Sequence, residues 1–590
     1  MSHGADLAVY ETFEDNFGRK STLEELEQEL GQFSLSSLLW TCAVVATGAQ
    51  LWDRKDPPLD VYSSLLNLFF PPSLVTQFQI GFWSKDPRTE VFHRRQILLI
   101  AKLGILHCKA HGIDLRQNAE RFGSILLKAN DQFHHGILPK PDEDIPDKEK
   151  FLRLIVELVA VTEYGKPNIR HQLGRNQLLL GDYVNKLCAD TDFVDVAREF
   201  EDSTGISIEE NTAMLFGLHA RYGRNLAEMI KTDPGALPFS IHTFAQTPIP
   251  ISKREKFIHT ISEKPARIKA ELLKRDYGAN DFTIFRKFPA VEQWYNPHLK
   301  NFCFRYLLLD NHMLIDKQIS GPYWCALRNH EQRFTRFWGR VFEEYISDLL
   351  ANACSKTVAR FVPDIRHPDK QNEQICDGLV IDGTRLVVIE TKAALFRADA
   401  KYSGDCRLLE EEIDSKLVRE KDTGQKKAAL QLADAVAALT GDPNILLGLG
   451  VDISAISEIY PLVVTLDSIG GTVGISSYLN LAFQQALEAD PKFRPIIRPL
   501  GCVDVECLEY MSEFMRAASM PELLRRWHEF NPPLAMPFVA IPIEGIAREQ
   551  NPWLKTTSEE RFKSAIRILF PDKDPDLALK EVAQKANKMA

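Results

Sequence analysis

Cysteine is sparse and scattered: ten residues in a chain of 590, with no C-x-x-C pair. That spacing excludes a disulfide-stapled scaffold and a zinc ribbon. No apolar run comes near the roughly 18 residues a membrane-crossing helix needs, so no membrane partner is expected. The opening stretch MSHGADLAVYETFEDNF is acidic and lacks the apolar core of a secretion signal, and a cytoplasmic protein is expected. Positive charge is not in excess either. The net charge of -10 excludes a surface coated in basic residues for DNA binding, though not a local basic groove. Internal repeats and low-complexity tracts are absent. GLGVD (Gly448–Asp452) and SIGGTVG (Ser468–Gly474) lack the Gly-Lys-Ser/Thr ending of a P-loop and the strand–glycine–helix frame of a dinucleotide site, so they read as loops.

What is present is a long globular chain. At 590 residues it exceeds one hydrophobic core, and 45% apolar with 26% charged residues is the composition of folded domains. The first half reads as helical, with apolar residues at helical spacing over Leu23–Trp52, Phe92–Ile113 and Phe151–Gly165. His107, Cys108 and His111 fall together on the second of these, but no third or fourth metal ligand accompanies them. Pro139–Lys150 is a proline- and charge-rich break. The proline-spaced Asp233–Ser252 marks the main boundary. The expected organisation is a helical regulatory or partner domain over 1–235, a linker with a basic helix over 236–280, and an α/β domain over 281–590. Two basic stretches, Ser252–Arg275 and Lys416–Lys427, read as solvated helix faces. The aromatic and basic Arg286–Tyr306 reads as a lid packed on the sheet.

The second half changes period. Phe334, Phe337, Trp338, Val341, Phe342, Tyr345, Ile346 and Leu349 form one apolar helical stripe. ICDGLVI and TRLVVIETK then read as strands, Ala428–Leu439 as a helix, Ile459–Asp467 as a strand, and Arg498–Met515 as strand into helix. Within that last stretch Cys502 to Cys507 alternates as a strand would, which puts its two cysteines on opposite faces. A mixed sheet flanked by helices follows.

The hairpin carries the chemistry. Asp382-Gly383 between two apolar runs signals a two-residue type I′ turn. With Ile381 opposite Thr384, Asp377 falls opposite Val388 and Ile375 opposite Glu390. Side chains alternate faces, so Asp377, Val388, Glu390 and Lys392 share one face, with Asp377 and Glu390 as diagonal neighbours about 7–8 Å apart at the backbone and closer at their tips. Two such carboxylates repel unless a cation sits between them, and a hard divalent ion suits an all-oxygen gap. Glu390-Thr391-Lys392 is the one Glu-x-Lys triplet in the chain, and it ends an apolar strand.

These residues resemble the PD-(D/E)xK nuclease superfamily, the restriction-endonuclease-like fold, over roughly Phe334 to Met515. The motif is Asp377…Glu390-Thr391-Lys392. Gly339-Arg-Val-Phe342-Glu343 is similar to the G-x-x-F-E pattern of that family's first core helix, and Gln431 to the glutamine some members carry after the lysine. The first carboxylate here lacks its preceding proline. A literal Pro363-Asp364 makes Asp364 the rival, but it lies in a stretch that reads as loop. The resemblance implies that Asp377, Glu390 and the Thr391 carbonyl hold Mg²⁺ or Mn²⁺. It implies that Lys392 orients or deprotonates the attacking water or holds a phosphate oxygen, and that Glu343 and Gln431 assist, with Glu344 placed nearly as well as Glu343. The expected activity is metal-dependent hydrolysis of DNA phosphodiesters, in a restriction or antiviral-defence setting. The helical half would bind a protein partner or a second copy. The alternatives are a non-catalytic nucleic-acid-binding or scaffold member of the same fold, or a nuclease acting on RNA or branched DNA.

Overall fold

The computed structural model describes residues 8–577 apart from 53–58, 84–87, 134–136, 139–142, 166–167, 224–236, 275–277, 294–304, 356, 369–372, 488–494, 532–535 and 544. The chain folds as two compact units that interleave along the sequence. One is built from His135–Val194 and His330–Ser558; the other from Asp6–His134, Asp195–Asn329 and Glu559–Ala590. Among the described residues no helix is long and apolar enough to cross a membrane.

The second of these units is mainly helical, as the periodicity of the first half predicts. It adds two small sheets, one pairing Ala8–Tyr10 with Arg88–Glu90, the other joining Ser262–Glu263, Ala290–Gln293 and Arg305–Leu308. Two expectations change here. The helix Arg94–His107 ends at Cys108, so His107 and His111 do not share a helical face; His107 faces Glu27 at 3.5 Å. The basic stretch after Ser252 forms two short helices, yet Arg254 is buried and donates to the Ile249 and Thr247 carbonyls, while Lys269 donates to the Leu106 carbonyl. Of Arg286–Tyr306, residues 294–304 lie outside the described residues, and so do residues 139–142 of the break before Lys150.

The other unit holds a mixed sheet. Strand β1 (Arg360–Arg366) pairs antiparallel with β2 (Gln374–Asp382), which pairs antiparallel with β3 (Arg385–Lys392). Strand β4 (Glu458–Thr465) lies parallel to β3, and two short pieces, β5 (Ile496–Ile497) and β6 (Gly501–Asp504), follow one another along the far side of β4. One face of the sheet presents Leu379, Ile381, Leu386, Val388 and Val463. It buries them against Leu432, Val436 and Leu439 of the helix Ala428–Gly441, Leu479 and Phe483 of Ile475–Ala486, and Ile155 and Val159 of Asp147–Glu163. A helix from the first half of the sequence thus completes this core.

The helix Asn311–Cys354 is interrupted at Glu331, whose φ of +34° is non-helical. Beyond that break every residue of the expected stripe from Phe334 to Leu349 is buried. The helix is pinned by a buried polar network. Arg175 donates to both oxygens of Glu509 at 2.8 and 2.7 Å, and the Tyr345 hydroxyl donates to the same carboxylate at 2.5 Å. Glu509 belongs to the helix Val505–Ser512, which Asp504 caps by accepting from the Cys507 amide at 2.7 Å. Cys507 is therefore helical and not part of a continuous strand with Cys502.

Lys416–Lys427 is not a helix face either. Only Asp414–Val418 is coiled, and a bridge between Arg419 and Lys426 then closes a tight loop. Strand β1 is the element the sequence hid. Pro363 cannot donate to a ladder and is tolerated because β1 is the sheet edge. Asp364 takes a φ of +49° beside a register shift.

Replacing Arg175 by leucine strands the Glu509 carboxylate without its guanidinium in a fully buried site. A loss of about 3–5 kcal/mol is expected, read as a lower urea midpoint with unchanged m-value.

Candidate functional site

The hairpin that positions the site differs in register from its sequence reading, in an instructive way. Asp382 is not a turn residue but pairs with Arg385 across the turn; the two side chains form an ion pair at 2.7 Å, and Ser519 donates to the same carboxylate at 2.6 Å. The turn is therefore Gly383-Thr384. Gly383 alone takes positive φ, +57°, the type II′ pattern and not type I′. The register moves by two residues. A shift of two preserves which face each side chain takes. Gly378 opposes Ile389, so the next position along brings Asp377 directly opposite Glu390 instead of diagonal to it. Gly378 is required there, since a Cβ would sit 2.6 Å from the Phe361 ring of β1.

Asp377, Glu390 and Lys392 each acquire a defined partner. Asp377 Oδ2 accepts from the Thr391 amide at 2.7 Å and from the Thr391 hydroxyl at 2.8 Å, and Oδ1 accepts from Gln374 at 3.2 Å. Lys392 donates to Glu390 at 2.5 Å, and the Glu390 side chain is only 6% exposed. Asp377, Glu390 and Gln431 line one cleft of about 190 Å³, together with His367, Gln374 and Asp434. Gln431 comes from the first turn of the helix Ala428–Gly441, and its Oε1 is buried without a hydrogen-bond partner. Glu343, half-buried, is close enough to feel the charges of Asp377, Lys392 and Glu390. Glu344 turns away and pairs with Lys186 at 2.6 Å, which decides between the two glutamates. Asp364 points elsewhere, paired with Arg366 at 2.8 Å. His367, Gln374 and Asp434 were not singled out from the sequence. Asp434 follows Gln431 by three positions and shares its helix face, a signal that periodicity could have supplied.

The electrostatics are unbalanced. Burial pushes the Glu390 carboxyl up to about 7, with the Asp377 charge adding to the rise and Lys392 opposing it. Burial, then the negative charge of Asp377, pushes Glu343 up to about 8. Burial alone would lower Lys392, but Glu390, Asp377 and Glu343 override it and raise the ammonium above its ordinary value. Three carboxyl groups thus surround one cation.

An ion fits this donor set. Asp377, Glu390, Asp434 and Gln431 bring oxygen donors to the cleft, burial and neighbouring negative charge keep Glu390 and Glu343 from ionising readily, and the Gln431 carbonyl has no partner of its own. Among the described residues no group of three or more His, Cys, Asp and Glu is arranged to hold a metal by itself. The protein would supply two carboxylates, leaving room for water and substrate oxygens, the usual arrangement for Mg²⁺. Comparison with protein-family models, with curated proteins and with solved structures gives no match for this chain.

The carboxyl shifts set a pH dependence. Glu343 and Glu390 hold protons in the folded state that the unfolded chain releases above its ordinary 4.5. Their contribution favours folding at low pH and is lost as pH rises through about 7 to 8. Glu343→Gln should therefore raise the melting temperature of the metal-free chain at pH 9, by on the order of 1–2 kcal/mol of stability, and change it little at pH 4.5. Added Mg²⁺ should stabilise the wild type more at pH 8 than at pH 6, because binding displaces those protons.

Proposed function

We propose that this protein is a divalent-metal-dependent nuclease that hydrolyses DNA phosphodiesters, with a restriction-endonuclease-like core. The observation that carries the reading is the convergence, from four separate elements, of Asp377, Glu390 and Gln431 on one cleft, with Lys392 donating to Glu390 and Glu343 close enough to feel their charges. The order helix, three antiparallel strands, helix, parallel strand supports it, since the motif residues then occupy the hairpin and its flanking helices as the resembled family requires.

Asp377 and Glu390 would hold Mg²⁺ or Mn²⁺, which supplies charge neutralisation at the phosphate and a more acidic bound water. Thr391 fixes the Asp377 carboxylate through two donors, so the carboxylate is oriented before any ion arrives. Lys392 keeps its proton, because it lies between carboxylates. Its role is therefore to donate to the water or to a phosphate oxygen, not to remove a proton. Glu343 would receive the proton of the attacking water once a bound ion has displaced its own, since in the metal-free site its carboxyl is pushed up to about 8. Gln431 would hydrogen-bond water or phosphate from the opposite wall. A defence setting, with the helical unit as a dock for a partner or second copy, remains part of this reading by analogy with the resembled family.

Purified protein should cut DNA in Mg²⁺ and not in EDTA. Lys392→Ala should lower the rate by about 10²-fold or more while far-UV circular dichroism stays unchanged. Undiminished cutting by that variant would reject the site. A parallel panel of linear duplex, single-stranded, flap and RNA substrates reads out substrate preference. Normal folding without divalent-ion binding in calorimetry would instead favour a scaffold that keeps the fold without the chemistry.

A further inference from the structure

The helix that carries Glu343 also carries Arg340 and Arg336, at spacings that put all three on one side. With 1.5 Å of rise per residue, the arginines lie about 4.5 and 10.5 Å along the axis from Glu343. Arg340 is close enough for its charge to act on the Glu343 carboxyl. Both guanidiniums are engaged by a loop of the same compact unit. Arg336 donates to the two oxygens of Asp192 at 3.0 and 2.7 Å. Arg340 donates to Asp190 at 2.5 Å and to Asp192 at 3.0 Å.

Two features set this apart from an ordinary structural clasp. The Arg336 and Arg340 side chains stay 57% and 36% exposed, against 18% and 15% for Asp192 and Asp190, so the cations and not the carboxylates face outward. Arg340 Nε is buried with no partner, a donor the loop leaves unused. The loop also has its own anchors. The Phe193 ring meets the Phe337 ring edge-on at 5.5 Å, Arg333 donates to the Phe193 carbonyl at 2.6 Å, and Val194 is buried. These anchors hold the loop apart from its bonds to the guanidiniums, and Asp190 adds one by accepting from the Asp192 amide at 2.7 Å.

A guanidinium fork fits a carboxylate and a phosphate with the same two-donor geometry. Both guanidiniums are more than a third exposed, so a phosphate can compete with the carboxylates for them from the solvent side. We propose that Arg336 and Arg340 form a phosphate subsite that guides a DNA strand toward the carboxylate cleft, and that Asp190 and Asp192 occupy it in the resting chain in place of phosphodiesters. The subsite rests on the nuclease reading for its purpose, but its binding can be measured apart from cleavage.

The test is fluorescence anisotropy of a labelled DNA duplex with the full-length chain in metal-free buffer, over a range of salt. Asp190→Asn with Asp192→Asn should bind about threefold tighter or more. Arg336→Gln with Arg340→Gln should bind about tenfold more weakly and flatten the salt dependence by one to two contacts. Unaltered affinity in the arginine variant, with its melting temperature near that of the wild type, overturns the subsite. If the aspartate variant does not fold, the arginine variant alone decides. Affinities that respond as expected in a chain that cuts nothing would keep the subsite and reject the nuclease; cutting with unresponsive affinities would do the reverse. Single-stranded RNA as a second probe distinguishes which phosphodiester strand the subsite takes.

Discussion

Three carboxyl groups share one ammonium at the edge of a sheet, and that imbalance governs the whole arrangement. At an effective dielectric near 20, two like charges about 4 Å apart repel by roughly 4 kcal/mol. A chain that enclosed Asp377, Glu390 and Glu343 with only Lys392 beside them would have to relieve that repulsion. Burial, reinforced by that repulsion, favours the protonated forms of Glu390 and Glu343. A divalent cation would relieve it more completely, and the cleft beside the carboxyls provides the room. The site is an electrostatic vacancy for positive charge, and the fold holds it open.

A second cluster in the same unit shows what a closed version looks like. Lys401 contacts both Glu163 and Asp467, and the Ser468 hydroxyl donates to Glu163. Asp467 also accepts from the amides of Phe396 and Ile469 at 3.0 Å. Lys401 is only 2% exposed at its side chain. The residue types are the same as in the candidate site, yet here Lys401 meets two carboxylates at once, whereas Lys392 donates only to Glu390. This cluster ties down the chain just after Lys392, whose own carbonyl accepts from Leu466 at 2.9 Å. One trio serves as a fastener for the strand end on which the other depends.

Much of this was legible because it depends on period alone. The alternation of ICDGLVI and TRLVVIETK put Asp377, Glu390 and Lys392 on one face, and a turn misplaced by one position could not spoil that, since it moved the register by two. The stripe from Phe334 to Leu349 gave the helix and its buried face for the same reason. What period could not reveal was long-range or non-periodic. Strand β1 is half exposed and contains Pro363 and a left-handed Asp364, so it shows neither alternation nor an apolar run. The junction at Asp504, strand on one side and capped helix on the other, reads as continuous alternation through Cys507. The Asp147–Glu163 helix is amphipathic, but amphipathicity does not say which core it will cover, and the sheet it completes begins some 200 residues later. The arginines at 336 and 340 were visible, but their aspartate partners lie far back in the chain, where no local pattern connects them.

The placement of those arginines answers a difficulty that the carboxyl cluster creates. A chain of net charge -10 with an anionic cleft repels a polyanion at long range, and salt screens but does not reverse that field. A phosphodiester can reach the cleft only if positive charge is met first and the carboxyls are neutralised on arrival. On the proposed reading, the guanidiniums along the exposed flank of this helix would meet the strand first, and a bound cation would neutralise Glu343 and the other carboxyls. Steering and chemistry would then depend on one rigid element, pinned through Tyr345 to Glu509. Freeing the arginines from Asp190 and Asp192 would then alter how a strand approaches, so charge on a surface loop would set when the cleft is reached.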